Sequence, residues 1–323
     1  MPQPTVRNVH VNRPLTNISI AFMNAREDYI ADKVFPMVPV SKQGDLYYKY
    51  DKDAWFRTDA KERAPGTESA GTGHGISTDS YYSKIYALHK DVSDPERANT
   101  DDPLNADRDA TNLVTEQLLL LREKLFVSKF FGTSLWTGSV SGSDITPGTL
   151  WSASGSDPIK DVRTQSRAMK KKTGRKANTL VVSGEVHDAL VDNAAILSRI
   201  NGGALPSQPA MVTRQLLAQA FEVDNYLVAE AVENTAKEGQ AFSGAHIYGK
   251  HALLCYSEPN PGLMKPSAGY IFGWTGLIGG AYAVEMSKFR MDQLKSDRIE
   301  GELAFDMKQI SADLGVFFAS VIA

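Results

Sequence analysis

A chain of 323 residues, 42% hydrophobic and 23% charged, has an ordinary globular composition and the length for one large domain or two to three smaller ones with a sizeable core. Its formal net charge of −3 argues against a dedicated nucleic-acid binder, because neutralising phosphates needs an excess of Lys and Arg on one face. The single cysteine, Cys255, excludes an intrachain disulfide and a cysteine-rich metal cage.

Met1-Pro2-Gln3-Pro4-Thr5 lacks the basic start and apolar run of a secretory signal. No stretch approaches the roughly 18 uninterrupted apolar residues of a membrane span; the cluster Leu118 to Leu121 is flanked by Gln117 and Arg122. The expectation is a soluble protein made inside a cell. Residues 1–20 are polar and Pro-punctuated, which reads as an extended arm. A short helical patch is predicted over residues 24–33. Phe35-Pro36-Met37-Val38-Pro39-Val40 then reads as extended, since each proline disfavours helix at the residue before it.

Leu46, Tyr48 and Tyr50 alternate with Tyr47, Lys49 and Asp51, and Tyr82, Lys84, Tyr86 and Leu88 alternate with Ser83, Ile85 and Ala87. Two tyrosine-rich strands are predicted. Between them, Ala64-Pro65-Gly66 through Gly71-Thr72-Gly73-His74-Gly75 is turn-rich and almost free of apolar residues. Hairpin loops are usually about 2 to 5 residues, so one this long is functional or disordered. A two-stranded ribbon is not stable alone. Support must come from outside its own strands, and a neighbouring subunit is a natural candidate.

Asp107 and Asp109 favour a helix start. Leu113, Gln117, Leu120, Leu121, Lys124 and Phe131 fall near helical spacing, and Gly132 suits the stop. About 24 residues give a rod of roughly 36 Å. Its run Leu118-Leu119-Leu120-Leu121 predicts cover on more than one side. A loop rich in Ser, Gly and Thr over residues 137–156 leads to a well-punctuated helix. It has Asp157 as N-cap, Pro158 at the first position, Asp161 in the first turn, Lys170-Lys171-Lys172 in the last and Gly174 after it. Thr179-Leu180-Val181-Val182 reads as a buried strand, Ser183 as the cap of a helix through Leu190, residues 215–221 as helix and 226–229 as strand.

Near the carboxyl end, residues 281–291 suit a strand and 293–297 a turn. Ile299, Gly301, Leu303, Phe305 and Met307 then alternate with Arg298, Glu300, Glu302, Asp306 and Lys308 in a long amphipathic strand. Residues 315–322 read as a deeply buried final strand. The whole predicts an α+β fold, with helices and antiparallel strands segregated.

Chemistry is sparse. Gly244-Ala245-His246-Ile247-Tyr248-Gly249-Lys250-His251 has P-loop spacing, but His251 stands where a magnesium-holding Ser or Thr belongs. Residues 247–256 also read as strand, where a P-loop needs strand, loop and helix. Gly71-Thr72-Gly73-His74-Gly75 reads as a flexible tip. His246, His251 and Cys255 are a poor ligand set, because alternating faces of a strand separate them and zinc needs three or four converging ligands. Cys255 lies among Leu253, Leu254 and Tyr256, which keeps a thiol protonated and inert. Asp101-Asp102 and Lys61-Glu62-Arg63 read as solvated charges. Lys170, Lys171, Lys172, Arg175 and Lys176 form the one basic cluster. It fits a helix carboxyl end and could face DNA. No catalytic, cofactor-binding or metal site is expected.

The order of segments resembles the major capsid proteins of tailed bacteriophages, which have the Hong Kong 97-like fold. Tyr29-Ile30-Ala31-Asp32-Lys33-Val34-Phe35-Pro36 with Val38-Pro39-Val40 looks like the arm of one branch of that family. Arg63-Ala64-Pro65-Gly66-Thr67-Glu68 looks like its ribbon. Asp157-Pro158-Ile159 through Asn178-Thr179-Leu180-Val181, with Val186-His187-Asp188-Ala189-Leu190, is similar to its entry into the axial domain. Gly249-Lys250-His251-Ala252-Leu253-Leu254 and Pro266-Ser267-Ala268-Gly269-Tyr270 complete the set.

The resemblance implies an N-arm over 1–43 and an E-loop ribbon over 44–92. A connector and spine helix would span 93–131, a peripheral domain 132–176 plus 281–323, and an axial domain 177–280. It implies self-assembly through hexamers and pentamers into an icosahedral head around double-stranded DNA touched without sequence specificity. Decoration, scaffolding and portal proteins are candidate further partners, and no membrane is involved. The chain would be a virion component assembled in the bacterial host cytoplasm. Some relatives crosslink through an E-loop lysine; Lys49, Lys52 and Lys61 are available here, but nothing around them marks a catalytic partner. Trp55, Phe56 and Arg57, with Arg63, are the expected subunit-interface residues, since aromatic and Arg side chains dominate hot spots. The competing readings are an encapsulin-type compartment shell with the same fold and a soluble enzyme of unknown reaction.

Overall fold

The structure, a computed structural model, describes residues 23–100, 104–200, 212–277 and 284–323. The arm expected over 1–20 and the pair Asp101-Asp102 lie outside the described residues. The helical patch expected over 24–33 is split into a 3-10 turn, Arg26–Asp28, and helix α1, Ala31–Val34. Tyr29, Ile30, Ala31, Val34 and Phe35 are buried, so this segment is part of the core. Strand β1, Met37–Val40, is extended as its prolines demand and pairs in parallel with β10, Gly269–Trp274.

The ribbon is β2, Gly44–Tyr50, paired antiparallel with β3, Ile76–Tyr82. The predicted second strand is thereby corrected. Tyr86 and Leu88 lie in β4, Lys84–Ser93, which leaves the ribbon and pairs with β12, Ser296–Gln309. β3 reads Ile-Ser-Thr-Asp-Ser-Tyr-Tyr, a run without apolar alternation, so periodicity gives no signal for it. Helix α2, Lys52–Trp55, crowns the ribbon, with Asp51 accepting from the Asp53 amide.

After the short α3, Asp94–Ala98, the long helix α4 runs over Ala106–Phe130 for 25 residues. Asn105 caps it by accepting from the Arg108 amide, and Asp107 and Asp109 sit in the first turn. Its buried residues Ala110, Val114, Leu118, Arg122, Phe126 and Phe130 recur every four positions. Four residues exceed one turn by about 40°, so this stripe winds by roughly 200° along the rod. The first half faces β12, where Leu118 and Val114 close over Gly301. The second half turns to Phe35, with Phe126 and Phe130 at ring distances of 5.9 and 4.7 Å. Leu119, Leu120 and Leu121 are half-buried.

Strand β12, 14 residues long, organises the first sheet. β4 lines one edge over residues 296–305, while β11, Glu285–Met291, and then β10 take the other. The amphipathic pattern read over 298–308 belongs to this strand. The strand expected over 281–291 is described only from residue 284 onward and is β11.

Helix α5, Pro158–Thr173, has the predicted punctuation: Asp157 accepts from the Lys160 amide and Gly174 closes the end at φ +72°. β5, Thr179–Ser183, follows, and Ser183 caps α6, Gly184–Val191. Then come α7, Ala194–Ile200, α8, Arg214–Phe221, β6, Asn225–Ala229, and the small hairpin of β7, Val232–Asn234, with β8, Gly244–His246. Two predicted strands are shortened. Residues 247–250 form a turn, leaving β9 as Ala252–Cys255, and β13 is Gly315–Phe318 rather than 315–322. Gly249 at φ +56° and Ser320 at φ +49° bend the chain out of the ladder where apolar content alone suggested continuity.

The second sheet has the order β13-β9-β5-β6. Its alternate residues supply two cores. Val181, Leu253, Cys255 and Phe317 join Phe126, Phe130 and Trp136 on one side, whereas Leu180, Val182, Leu254 and Phe318 join Trp151, Ile159 and Val162 on the other. Burial on both faces is why these strands are continuous apolar runs. The α+β class stands, and β1–β10 and β5–β6 add two parallel pairs to the antiparallel framework.

Candidate assembly surfaces

The ribbon's two faces have opposite fates. Tyr47, Asp79 and Tyr81 point toward the body, where Tyr81 stacks on Phe272 at 4.6 Å and Tyr47 at 5.7 Å. The Tyr47 hydroxyl donates to Asp79 at 3.0 Å, and Lys49 pairs with the same carboxylate at 3.2 Å. Burial first, and then Asp79, raises the Tyr47 pKa well above the usual phenol range. On the opposite face Leu46, Tyr48, Ile76 and Tyr82 are exposed, Leu46 by 62% and Tyr48 by 65%. An apolar face of this kind on a strand pair marks an interaction surface.

Trp55 and Phe56 stand at the ribbon's tip, 57% and 65% exposed. Trp55 lies 6.0 Å from the ring of His74, and Phe56 rests against Gly174. Arg57 is committed locally: its Nε and Nη2 reach the two oxygens of Asp59 at 2.9 and 3.2 Å, and Thr72 donates to the same carboxylate at 2.9 Å. Arg63 Nε donates to the Thr67 carbonyl at 2.5 Å. The structure thus leaves Trp55 and Phe56 more than half exposed at a tip that touches the body at Gly174, while the two arginines bond within the loop behind it.

The basic cluster is divided. Lys172 Nζ donates to the Thr137 and Ser139 carbonyls at 2.7 and 2.6 Å, Lys176 pairs with Glu222, and Arg175 lies 5.6 Å from the Tyr256 ring centre. Lys170 and Lys171 extend into solvent from the last turn of α5.

The excluded chemistry has structural explanations. Cys255 is fully buried and burial pushes its thiol well up, the inert setting expected. His251 Nδ1 accepts from the Ser320 amide at 3.0 Å, and its ring lies tilted against that of Phe317 at 5.2 Å. His246 ends β8. Among the described residues no group of three His, Cys, Asp or Glu could hold a metal, and no helix is long and apolar enough to cross a membrane.

Several surface and joint residues were not singled out by sequence. The Leu46–Tyr82 face is one group. Asp313, which meets Lys52 at the ribbon tip, is another. Leu263, 83% exposed beside Met264 on a loop between prolines 261 and 266, is a third. The alternation of Leu46 and Tyr48 was visible, but nothing local says which face of a two-sided strand meets the body. Within the body, Glu123 joins three segments. It is buried on α4, accepts from the Tyr248 hydroxyl at 2.5 Å and the Ala31 amide at 2.9 Å, and burial raises its pKa above the usual carboxylate range.

Comparison with known proteins bears on what such surfaces are for. The family described as phage major capsid protein E matches residues 140–245. The major capsid protein of Burkholderia phage BcepMu is 26% identical over 268 residues, covering 80% of this chain and 82% of that relative. The major capsid protein of Pseudomonas phage JBD67 is 26% identical over 322 residues, covering 97% of each. Among solved structures, a phage-related protein from Bordetella bronchiseptica RB50 is similar with a TM-score of 0.67 at 22% identity, over 92% of this chain and 93% of that one. A chain of the bacteriophage PhiM1 mature capsid is similar with a TM-score of 0.60 at 12% identity, over 96% and 92%. The architecture is the Hong Kong 97-like α+β fold of phage shell subunits. The chain is a major capsid protein of the tailed-bacteriophage type, a structural component of the virion.

Proposed function

We propose that the chain acts by self-assembly alone, closing through rings of six and five into an icosahedral head around double-stranded DNA in the bacterial host cytoplasm. One observation carries the geometric part of this reading: a ribbon seated by one face on Phe272 offers its other face, Leu46, Tyr48, Ile76 and Tyr82, to a partner. In this reading the ribbon of β2 and β3 is the body of the E-loop expected over 44–92, with β4 as its return into the first sheet, α4 is the spine helix and 177–280 the axial domain, with 1–43 as the arm and the remainder peripheral. Axial domains would meet head to tail, a heterologous contact that closes into rings. Obligate interfaces bury more than about 2,000 Å², and an exposed apolar ribbon contributes to that area.

Lys170 and Lys171 are the lysines of the basic cluster left for non-specific contact with packaged DNA. Decoration, scaffolding and portal proteins remain candidate partners in the same reading. The compartment-shell alternative shares the fold, and the named phage relatives favour a phage head.

The test is electron microscopy of the purified chain beside a variant lacking residues 52–75. Closed shells from the full chain and none of normal size from the deletion are expected. Normal shells from the deletion would sink the role given to the ribbon, and a monomer at high concentration would favour a soluble enzyme.

A further inference from the structure

Helix α4 is tied to two distant segments by polar groups as well as by its apolar stripe. Glu116 and Glu123 lie about two turns apart on one side of it. The Tyr29 hydroxyl donates to Glu116 at 3.1 Å, the Ala31 amide to Glu123 Oε1 at 2.9 Å and the Tyr248 hydroxyl to Glu123 Oε2 at 2.5 Å. Asn24 closes the third side of the triangle: its side chain donates to the Val232 carbonyl at 3.0 Å and accepts from the Val232 amide at 3.1 Å. The 24–31 segment, α4 and the stretch from β7 to Tyr248 are thus each bonded to the other two.

The Glu123 corner is unlike the others. Glu123 and Tyr248 are buried, whereas Asn24 and Glu116 are only partly so. The charged groups around it are engaged elsewhere: Arg122 reaches Asp32 at 3.5 Å, Lys124 pairs with Glu233 at 2.5 Å, and Glu116 holds Tyr29. Among the described residues no ion pair reaches the Glu123 carboxyl. Burial therefore dominates and raises its pKa, against the pull of Tyr248, the Ala31 amide and Arg122. Protonated, the carboxyl can donate to the Tyr248 oxygen; ionised, it can only accept. A buried carboxylate without a counter-ion gains from water, which enters only if the corner opens.

We infer that Glu123 is a proton-gated latch, locking the Ala31 backbone and the Tyr248 turn onto α4 when its carboxyl is protonated and releasing them when it ionises. The inference goes beyond the shell reading and does not rest on it. A raised folded pKa gives a contribution that is full below the unfolded value, about 4.3, and lost as pH rises through the folded one. Release is local. The Tyr29–Glu116 bond and the two Asn24 bonds keep the segment in place, so the corner opens without the domain unfolding.

Hydrogen exchange of the full-length, unassembled chain, corrected for the intrinsic rate at each pH, reads this opening directly. Protection of peptides covering residues 25–35 and 245–251 should fall about fivefold or more between about pH 5 and about pH 8, with one shared midpoint, while the buried strand β5 stays unchanged. Glu123→Gln, which keeps the shape and cannot ionise, should make both peptides insensitive to pH. Tyr248→Phe removes a donor that favours the ionised form, so its midpoint should move to higher pH. A wild-type profile flat with pH, or a fall that persists in Glu123→Gln, overturns the latch. A midpoint unmoved or lowered in Tyr248→Phe does the same, and that variant decides the matter even where Glu123→Gln does not fold.

Discussion

Glu123 shows how one side chain can join distant parts of the chain. Its carboxyl is buried on α4 and accepts from Tyr248, 125 residues away, and from the Ala31 amide, 92 residues away. Removing a buried acceptor costs about 1–3 kcal/mol for each group it served. Glu123→Ala should therefore lower unfolding stability by a few kcal/mol, read by urea denaturation, whereas Glu123→Gln should lose less because it keeps an acceptor. Gly301 acts by absence. A Cβ there would stand 2.7 Å from Leu118 Cδ1, 2.8 Å from Val114 Cγ1 and 2.9 Å from Met286 Sδ. Gly301→Val should destabilise by about 1–3 kcal/mol through overpacking, seen as a lowered Tm, and an unchanged Tm would show that α4 can shift off β12. Neither role is visible in sequence: Glu123 reads as one more charge on a helix, and Gly301 as a weak point in a strand.

At the scale of elements, the join between α3, the start of α4 and the β11–β12 hairpin is held by charge. Arg290 grips Asp94 at 2.6 Å through both of its terminal nitrogens, Arg298 grips Asp91 at 2.7 and 2.9 Å, and Arg97 and Lys288 each reach Asp107 and Asp297. Hydrogen bonds from Arg298, Arg290 and Arg290 again depress the pKa values of Asp91, Asp94 and Asp297, and Lys288 and Arg97 depress Asp107 against its burial. A depressed folded pKa gives stability that is present above the unfolded value, about 3.9, and lost as pH falls through the folded values. Glu123 has the opposite sign: its raised pKa weakens the fold as pH climbs through it. The four aspartates outnumber it. Acid titration followed by circular dichroism should thus show stability falling below about pH 4, gently because these pairs are largely exposed, and a flat profile there would mean the cluster adds nothing.

At the scale of the whole molecule, exposure separates what holds the subunit from what joins subunits. Trp55 and Phe56 are more than half exposed, and such surface positions usually change stability by less than about 0.5 kcal/mol. The double variant Trp55→Ser, Phe56→Ser should keep the wild-type Tm yet form shells more slowly or at a higher threshold concentration. Normal assembly of that variant, measured by light scattering, would remove these residues from the interface. The same division explains the basic cluster, where Lys172, Arg175 and Lys176 are engaged within the subunit while Lys170 and Lys171 face water.

By itself the sequence determined the elements whose signals are local. The N-cap, proline and glycine of α5, the amphipathic run of β12 and the apolar run of β5 depend on neighbours within a few residues, and each lies where its pattern places it. The resemblance to tailed-phage capsid proteins was likewise carried by contiguous motifs. The tertiary structure alone decided that polar β3 completes the ribbon, that β9 and β13 stop short, and that residues of one sheet divide between two cores. It also decided which ribbon face rests on Phe272 and brought Lys52 to Asp313, 261 residues on. The reason is physical: a two-sided strand carries no mark of which face will be covered, and contacts between remote segments exist only once packing has brought them together. The opening exclusions from charge and cysteine count narrowed the class, and the faces left uncovered by packing are what point to assembly.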